Sequence, residues 1–357
     1  MNEAWQTFPM AQLLGNGHMG AAVTQGPGEQ RILLSHCAFY SGRAEPDPAD
    51  GGCAEAFRLA RAAALREDWA EADRQTDRFM GRKGSYGTSL PVGTLVLREE
   101  GVEAVADQRL DMREGVLHIT RGSLTGELCC SHPDGMLLVH LRDPRGLQLR
   151  VSAEGVGPCR CETGSLRFET QALETRHSDG TCGTRLSGLL TADMPGGSVL
   201  PEDGTLALSG ATECLLTLRT VTDWDCPDRY AARAALNSAD APSVTQWPEL
   251  LARHTADFRS LMDRTDLRLP TDPEAELLHL TGRYLLASAA RSDSPLPMSL
   301  QGVWNDDVAC RIGWTCDMHL DINTQMNYWL AGPTGLSGEC RPPLFRWLKE
   351  RLIPQGR

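Results

Sequence analysis

The sequence predicts a multidomain chain in which an antiparallel β-sandwich is followed by helices. Its 357 residues exceed the roughly 250 to 300 at which one hydrophobic core stops growing, so two or more domains are expected. From Arg31 to about Thr222, short β-branched or alternating segments are separated by Gly, Pro and Asp, which is typical of a sandwich. After Thr222 the apolar residues recur at helical spacing, which predicts a change of architecture.

The predicted strands are bounded by turn signals such as Pro133-Asp-Gly135 and Ser178-Asp-Gly180. The clearest of them are Gly93 to Leu97, Val116 to Thr120, Leu137 to Leu141, Leu147 to Ala153, Thr205 to Leu208 and Glu213 to Val221. One interruption, from Cys53 to Met80, is rich in Ala, Arg and Glu, with apolar residues near helical spacing. We expect one or two helices there, lying against the sandwich.

Four helices are predicted in the second half of the chain. They run from Asp228 to Leu236, from Glu249 to Met262, from Asp272 to about Ala290, and from Pro343 to Leu352. The third begins with an acceptor side chain and a proline at the first helical position, which is a strong helix start. The predicted domains are a sandwich over 1–225 with its helical insertion near 53–80, a helical linker over 226–270, and a second domain over 271–357.

Composition narrows the function. A net charge of −12 opposes nucleic-acid binding, which depends on Lys and Arg that neutralise phosphates. No apolar run approaches the roughly 20 residues of a membrane span, and Met1 to Trp5 lacks the pattern of a signal segment, so a cytoplasmic location is expected. The cysteines form no Cys-x-x-Cys pair, and we therefore expect reduced thiols and no metal site.

A glycine-rich segment near the N-terminus, Gly15-Asn-Gly-His-Met-Gly20, matches the dinucleotide-binding pattern letter for letter. The pattern needs a following helix and an acidic residue about twenty positions on, and the sequence offers neither, so we reject a nucleotide site. Two interpretations remain. The segment is a turn between strands, or Asn16 or His18 also reaches over a ligand pocket.

Two later segments have the composition of a sugar-binding site. Ser299-Leu-Gln-Gly-Val-Trp-Asn-Asp306 and Met318-His-Leu-Asp-Ile-Asn-Thr-Gln-Met-Asn-Tyr-Trp329 place amides, an imidazole, acidic groups and aromatics within about thirty residues. Such sites hold a hydroxylated ring through convergent polar groups beside an apolar wall. If the second segment is extended, the side chains of His319, Asp321 and Asn323 share one face. The alternative is a loop whose polar groups bond their own backbone.

The amino-acid sequences of these two segments resemble those of glycoside hydrolase family 95, the α-L-fucosidases. The resemblance extends to Gly282-Arg-Tyr-Leu-Leu286, Pro333-Thr-Gly-Leu-Ser337 and Leu14 to Ala21. It implies a β-sandwich (super-sandwich), a helical linker, and a catalytic (α/α)6 barrel of which this chain carries only the first helices. It also implies inverting hydrolysis of terminal α-L-fucosyl, or related α-L-sugar, residues from a fucosylated glycan, with no cofactor.

The resemblance also implies residue roles. The position of His319 binds the sugar, and those of Asp321 and Asn323 position the attacking water. The family carries Asn at the first of these two, whereas this chain carries Asp321. A carboxylate accepts a proton from water and an amide does not, so Asp321 is either the base itself or the product of a neutral drift. Trp304 and Asn305, together with Asn16 and His18, are the further candidates for substrate binding.

The general acid of the family is a Glu in the later barrel helices, and neither Glu339 nor Glu350 has the sequence context to replace it. We therefore expect the chain to be the N-terminal portion of such an enzyme and inactive alone. Two alternatives stay open. One is a carbohydrate-binding or interaction module without hydrolysis, and the other is an α-L-galactosidase-like relative.

Overall fold

The computed structural model describes residues 10–42, 52–79, 87–238 and 241–355. The N-terminal segment from Met1 to Trp5 and the last residue of the predicted insertion, Met80, lie outside them. Within the described residues, the order of elements is strands first and helices after, with one helical insertion early in the sandwich. The predicted fold class, a sandwich followed by helices, is confirmed.

Fifteen strands of the described chain form two antiparallel sheets. The strands are β1 Gln12–Gly15, β2 Met19–Gly26, β3 Glu29–His36, β4 Gly93–Arg98, β5 Asp107–Asp111, β6 Val116–Arg121, β7 Leu124–Ser131, β8 Met136–Arg142, β9 Gln148–Glu154, β10 Cys159–Glu162, β11 Ser165–Gln171, β12 Arg185–Asp193, β13 Ser198–Glu202, β14 Thr205–Ser209 and β15 Glu213–Thr222. Their order is β1-β2-β3-β4-β9-β14-β13 in one sheet and β10-β11-β12-β15-β8-β7-β6-β5 in the other.

The helices of the described chain lie in the insertion and after the sandwich. They are α1 Cys53–Ala64, α2 Trp69–Thr76, α3 Arg229–Ser238, α4 Trp247–Met262, α5 Pro273–Ala289, α6 Val308–Arg311, α7 Asn323–Trp329, α8 Ser337–Cys340, α9 Pro342–Trp347 and α10 Ile353–Gln355, with a π-helical turn at Leu348–Leu352 between the last two. No helix in these ranges has the length and apolarity to cross a membrane.

The inner faces of the two sheets share one hydrophobic core, and the outer face of the second sheet is partly covered as well. On β8, Leu137 and Val139 point into the sandwich core, whereas Met136 and Leu138 pack against Trp247 of α4. A strand covered on both faces reads as a continuous apolar run rather than an alternating one, as β8 does. The segment 226–270 thus packs on the sandwich, while the boundaries of the predicted domains stay a prediction.

The second hydrophobic core joins α4, α5 and the two sugar-site segments. Phe258 and Met262 of α4 meet Tyr284 of α5 and Trp304 of the first segment there. The start of α5 is as predicted, because the side chain of Asp272 accepts a hydrogen bond from the backbone of Ala275 at 3.0 Å. This core is what holds the segments of the candidate site against the sandwich.

Candidate active site

The first sugar-site segment, Ser299 to Asp306, is fastened to the sandwich by its most promising side chains. Trp304 is 4% exposed, and its Nε1 donates to the carbonyl of Leu14 at 2.8 Å. Asn305 is 1% exposed, and its Nδ2 donates to the carbonyl of Ser89 at 2.6 Å. Buried polar groups need such partners. The structure therefore gives both residues a packing role, and their contact with substrate stays a prediction.

The glycine segment is a tight turn between β1 and β2, as both interpretations require. All three of its patterned glycines lie against α5 or the segments that follow it. A Cβ on Gly15 would come within 2.6 Å of the Ser288 carbonyl oxygen, one on Gly17 within 2.5 Å of Arg291 Cγ, and one on Gly20 within 2.9 Å of Trp304 Cδ1. We call Gly15 to Gly20 the glycine turn. Its glycines allow the sandwich backbone to contact α5 and the segments after it closely.

Asn16 holds the glycine turn in shape. Its Oδ1 accepts from the backbone of His18 at 3.1 Å and of Met19 at 2.8 Å, and its Nδ2 donates to the Ser131 carbonyl at 3.1 Å. The residue is 2% exposed. Its amide is therefore committed to the protein, as is common for Asn in turns.

His18 instead belongs to a group of charged side chains that joins the sandwich to α4 and the loop after α5. We call this group the charged cluster; its members are His18, His132, Asp257, Arg291 and Asp293. Asp293 lies 3.3 Å from His18 Nε2 and 2.9 Å from His132 Nε2, and Asp257 lies 3.7 Å from His132 Nδ1 and pairs with Arg291. Hydrogen bonds from His132 and His18 lower the pKa of Asp293. Burial lowers the pKa of His132, but its bonds to Asp257 and Asp293 outweigh burial and raise that pKa to about 9.

The second sugar-site segment is not extended, so the condition under which its three polar residues would share one face is not met. Residues 320–322 form a turn and Asn323 begins α7, with the Thr324 backbone donating to the carbonyl of His319 at 2.9 Å. Asp321 is exposed in that turn, whereas His319 and Asn323 are half-buried. The helical start replaces strand geometry, so spacing by two no longer sets a common face.

His319 is the best oriented side chain of this segment. Its Nδ1 lies 2.6 Å from Asp317 Oδ1, and its ring stacks on Trp314 with 5.8 Å between centroids and 13° between planes. A carboxylate on Nδ1 fixes the tautomer that leaves Nε2 as an acceptor. Trp314 is 57% exposed, so a broad aromatic face lies open beside the imidazole.

Trp314 is the candidate that sequence reasoning missed. The sequence feature that could have identified Trp314 is its position directly after Gly313. The φ of 87° at Gly313 marks a turn, and an aromatic side chain in a turn is less readily buried in a hydrophobic core. Of the second segment's own large apolar residues, Tyr328 is 4% exposed and packs in the second hydrophobic core. Met326 is 50% and Trp329 60% exposed, so these two side chains are largely open to solvent.

A cavity of about 280 Å³ lies between α5, the first segment and α7. Its lining is mainly apolar, with Trp304, Gln301 and Asn327 among the residues that form it, and it does not include His319, Asp321 or Asn323. The predicted site is therefore divided between an apolar groove and a neighbouring polar surface. Within the described residues, His, Cys, Asp and Glu side chains form no group of three or more that could hold a metal ion.

Two family models match the chain. Residues 1–227 match the glycosyl hydrolase family 65 N-terminal domain, and residues 272–357 match the glycosyl hydrolase family 95 catalytic domain. The larger part of the chain therefore belongs to the glycosyl hydrolase family 65 N-terminal domain family, and the rest is similar to the family 95 catalytic domain. Both sugar-site segments fall inside the stretch that matches the family 95 catalytic model, whereas Asn16 and His18 lie in the N-terminal domain.

The curated relatives of the chain carry fucosidase names. The chain is 25% identical to "Probable alpha-fucosidase A" of Aspergillus oryzae, over 99% of the chain and 55% of the relative. It is 24% identical to "Alpha-L-fucosidase 2" of Arabidopsis thaliana, over 95% of the chain and 47% of the relative. The chain thus spans about half the length of the curated relatives it matches.

The fold of the chain is also found in a solved structure. A protein named "Putative kojibiose phosphorylase from human microbiome" superposes with a TM-score of 0.50 at 9% identity, covering 82% of this chain and 41% of that one. At this identity the likeness concerns the fold alone.

Proposed function

We propose that this chain forms the sandwich and first catalytic segments of a glycoside hydrolase that removes terminal α-L-fucosyl, or closely related α-L-sugar, residues from a glycan with inversion. The observation that carries the proposal is the stack of Trp314 on His319, whose Nδ1 lies beside Asp317, inside the region that matches the family 95 catalytic model. The fucosidase names of the relatives support the sugar class.

The geometry suits a sugar ring. The exposed face of Trp314 offers an apolar platform for the C–H face of a pyranose. Nε2 of His319, held in the acceptor tautomer by Asp317, is suited to accept a hydrogen bond from a sugar hydroxyl. A ring bound in this way is held by one apolar and one polar contact, which together fix its orientation.

An inverting glycosidase breaks the glycosidic bond in a single displacement. A water attacks the anomeric carbon while its proton passes to a base, and an acid protonates the departing glycosidic oxygen. We assign the base role to Asp321, because it is an exposed carboxylate two residues beyond His319. Asn323, at the first position of α7, is the amide that orients the same water in this proposal.

The test is a titration of the chain with L-fucose, read by tryptophan fluorescence and calorimetry, together with release of the aryl group from an aryl α-L-fucoside. We expect saturable L-fucose binding that is weakened at least tenfold in Trp314→Ala and in His319→Ala, about 1.4 kcal/mol or more. Trp69→Ala is the matched control, because Trp69 is 63% exposed on α2, outside the matched catalytic region.

D-glucose and L-galactose complete the comparison. Equal affinity for L-fucose and D-glucose, or binding that survives both substitutions, contradicts the proposal. Specific binding without turnover supports the carbohydrate-binding alternative for this chain. Preferred binding and hydrolysis of L-galactosides supports the α-L-galactosidase-like alternative.

A further inference from the structure

A cavity on the outer face of the second sheet, about 250 Å³ in volume, is lined by three arginines. It lies between α3 and strands β10 to β12, with Arg160, Arg167 and Arg233 among its lining residues. Its strand residues lie within the match to the N-terminal domain, its α3 residues lie just after that match, and none of its lining residues belongs to the sugar-site segments.

Two of these arginines are placed directly opposite each other. Arg160 of β10 pairs with Arg167 of β11 in the antiparallel register, so their side chains leave the same face of the sheet. The alternate residues of β11, Leu166 and Phe168, point into the sandwich core, which fixes the arginines on the outer face. Like charges opposite each other destabilise a sheet by themselves.

Neither arginine is neutralised by the protein. Across the described ranges, Arg160 and Arg167 take part in no ion pair or side-chain hydrogen bond, and Glu169, the carboxylate in the lining, lies 3.7 Å from Arg233 instead. Elsewhere arginines of this chain pair with carboxylates, as Arg98 does with Glu29 at 2.6 Å. The two opposed arginines lack a carboxylate partner within the described part of the chain. We therefore expect a negatively charged group from outside the chain to bind between them.

We propose that this cavity binds a small molecule through a carboxylate, sulfate or phosphate group held between Arg160 and Arg167. Guanidinium groups match the planar geometry of such oxyanions with two parallel hydrogen bonds each. Arg233 closes one side from α3, and the buried Leu236 forms an apolar wall. The net charge of −12 repels long polyanions, so the field favours a ligand with one or two charges.

The cavity also limits ligand size. About 250 Å³ is slightly below the roughly 300 to 1,000 Å³ of common small-molecule sites. A free oxyanion or an anionic sugar of one ring fits this volume better than a nucleotide or a longer glycan.

The test is calorimetric titration of the full chain at low ionic strength with phosphate, sulfate and D-glucuronate. D-glucose is the uncharged control, and sodium chloride at matched ionic strength controls for screening. We expect saturable binding of at least one anion and a rise in melting temperature that chloride does not reproduce. Tighter binding of glucuronate assigns a sugar acid, and tighter binding of phosphate or sulfate assigns an inorganic or esterified oxyanion.

The variants are Arg160→Gln and Arg167→Gln, each expected to weaken the anion affinity at least tenfold. Their melting temperatures without anion should equal or exceed that of the unsubstituted chain, because each removes a like-charge pair. Arg109→Gln is the matched control, since Arg109 is exposed on β5 at the opposite edge of the same sheet. Absence of saturable anion binding by the unsubstituted chain overturns the proposal, as does equal affinity in the two variants.

Discussion

At the scale of single residues, the candidate site depends on what each polar side chain is free to do. Trp304 and Asn305 use their polar atoms on the backbone of the sandwich, and Asn16 uses its amide inside its own turn. His319 keeps one ring nitrogen available, and Asp321 is exposed. Residues with the right chemistry therefore divide into those that build the site and those that can contact a ligand.

Asp321 gives the sharpest test at this scale. If its carboxylate accepts the water proton, Asp321→Asn in the intact enzyme, which includes the general acid, lowers kcat on an aryl α-L-fucoside by about 10² to 10⁴, the usual contribution of a general base. The affinity for L-fucose should stay within about twofold, because the amide is isosteric.

Steady-state kinetics and an L-fucose titration of the same preparation measure both quantities. Asp107→Asn, an exposed change on edge strand β5, is the control. Full turnover in Asp321→Asn rules out the base role and leaves the substitution of the family's Asn as neutral drift.

At the scale of elements, the glycine turn shows how a weak sequence motif acquires a structural meaning. The sequence of the turn matches the dinucleotide-binding pattern. In the structure, however, its three glycines leave room for Ser288, Arg291 and Trp304, which pack against the turn. Glycine is needed here because two segments of the protein pack closely, and this explanation does not require a bound ligand.

Two glycine substitutions should act in opposite directions. In Gly20→Ala the new Cβ lies 2.9 Å from both Val303 Cγ1 and Trp304 Cδ1, so overpacking should lower the free energy of unfolding by about 1 to 3 kcal/mol. In Gly282→Ala, on α5, nothing lies within 4 Å of the new Cβ. There the better helix propensity should raise stability by about 0.5 to 1 kcal/mol.

Urea unfolding of the two variants measures both changes. A neutral Gly20→Ala would mean that the sandwich and the first sugar-site segment separate at little cost. The Gly282 variant serves as the control for a general effect of added methyl groups.

The elements that sequence reasoning located are those in which local pattern and tertiary burial agree. β8 was found because its run is apolar throughout, and α5 because Asp272 caps it. The sequence leaves the second sugar-site segment open between an extended piece and a loop because a spacing of two fits both, and the hydrogen bond from the Thr324 backbone to the His319 carbonyl decides for the turn. Trp314 was missed because exposure of an aromatic is set by neighbours distant in sequence.

At the scale of the whole molecule, the charged cluster makes the union of sandwich and helices sensitive to pH. His132 has a folded pKa of about 9 against an ordinary 6.5. Its stabilisation is therefore complete below pH 6.5 and is lost as the pH rises through 9. Burial lowers the pKa of His36 from 6.5 to about 4. Its contribution runs the other way, because acid protonates this histidine more readily in the unfolded chain.

We therefore expect the free energy of unfolding to be greatest near pH 6.5 and to fall on both sides. The alkaline fall should be on the order of 1 to 3 kcal/mol up to pH 9, given about 1.4 kcal/mol per pKa unit and partial exposure of the cluster. Urea titrations from pH 5 to 9 measure the profile.

His132→Gln should flatten the alkaline side, while His279→Gln on α5, three helical turns before the cluster, should leave it unchanged. An alkaline fall of the same size in His132→Gln would show that other groups cause it.

The close seating of the glycine turn against Ser288, Arg291 and Trp304 also bears on how such proteins can be recombined. Grafting the N-terminal half of a relative onto this helical half would succeed only if the donor hairpin brought equally small residues at the three touching positions. A chimera that lacks them should be recovered after one compensating truncation on the recipient side, for example Val303→Ala opposite Gly20. Whether the N-terminal half of one homologue can replace that of another then depends on how well the β1–β2 hairpin packs against the helical half. The overall sequence identity of the two halves matters less.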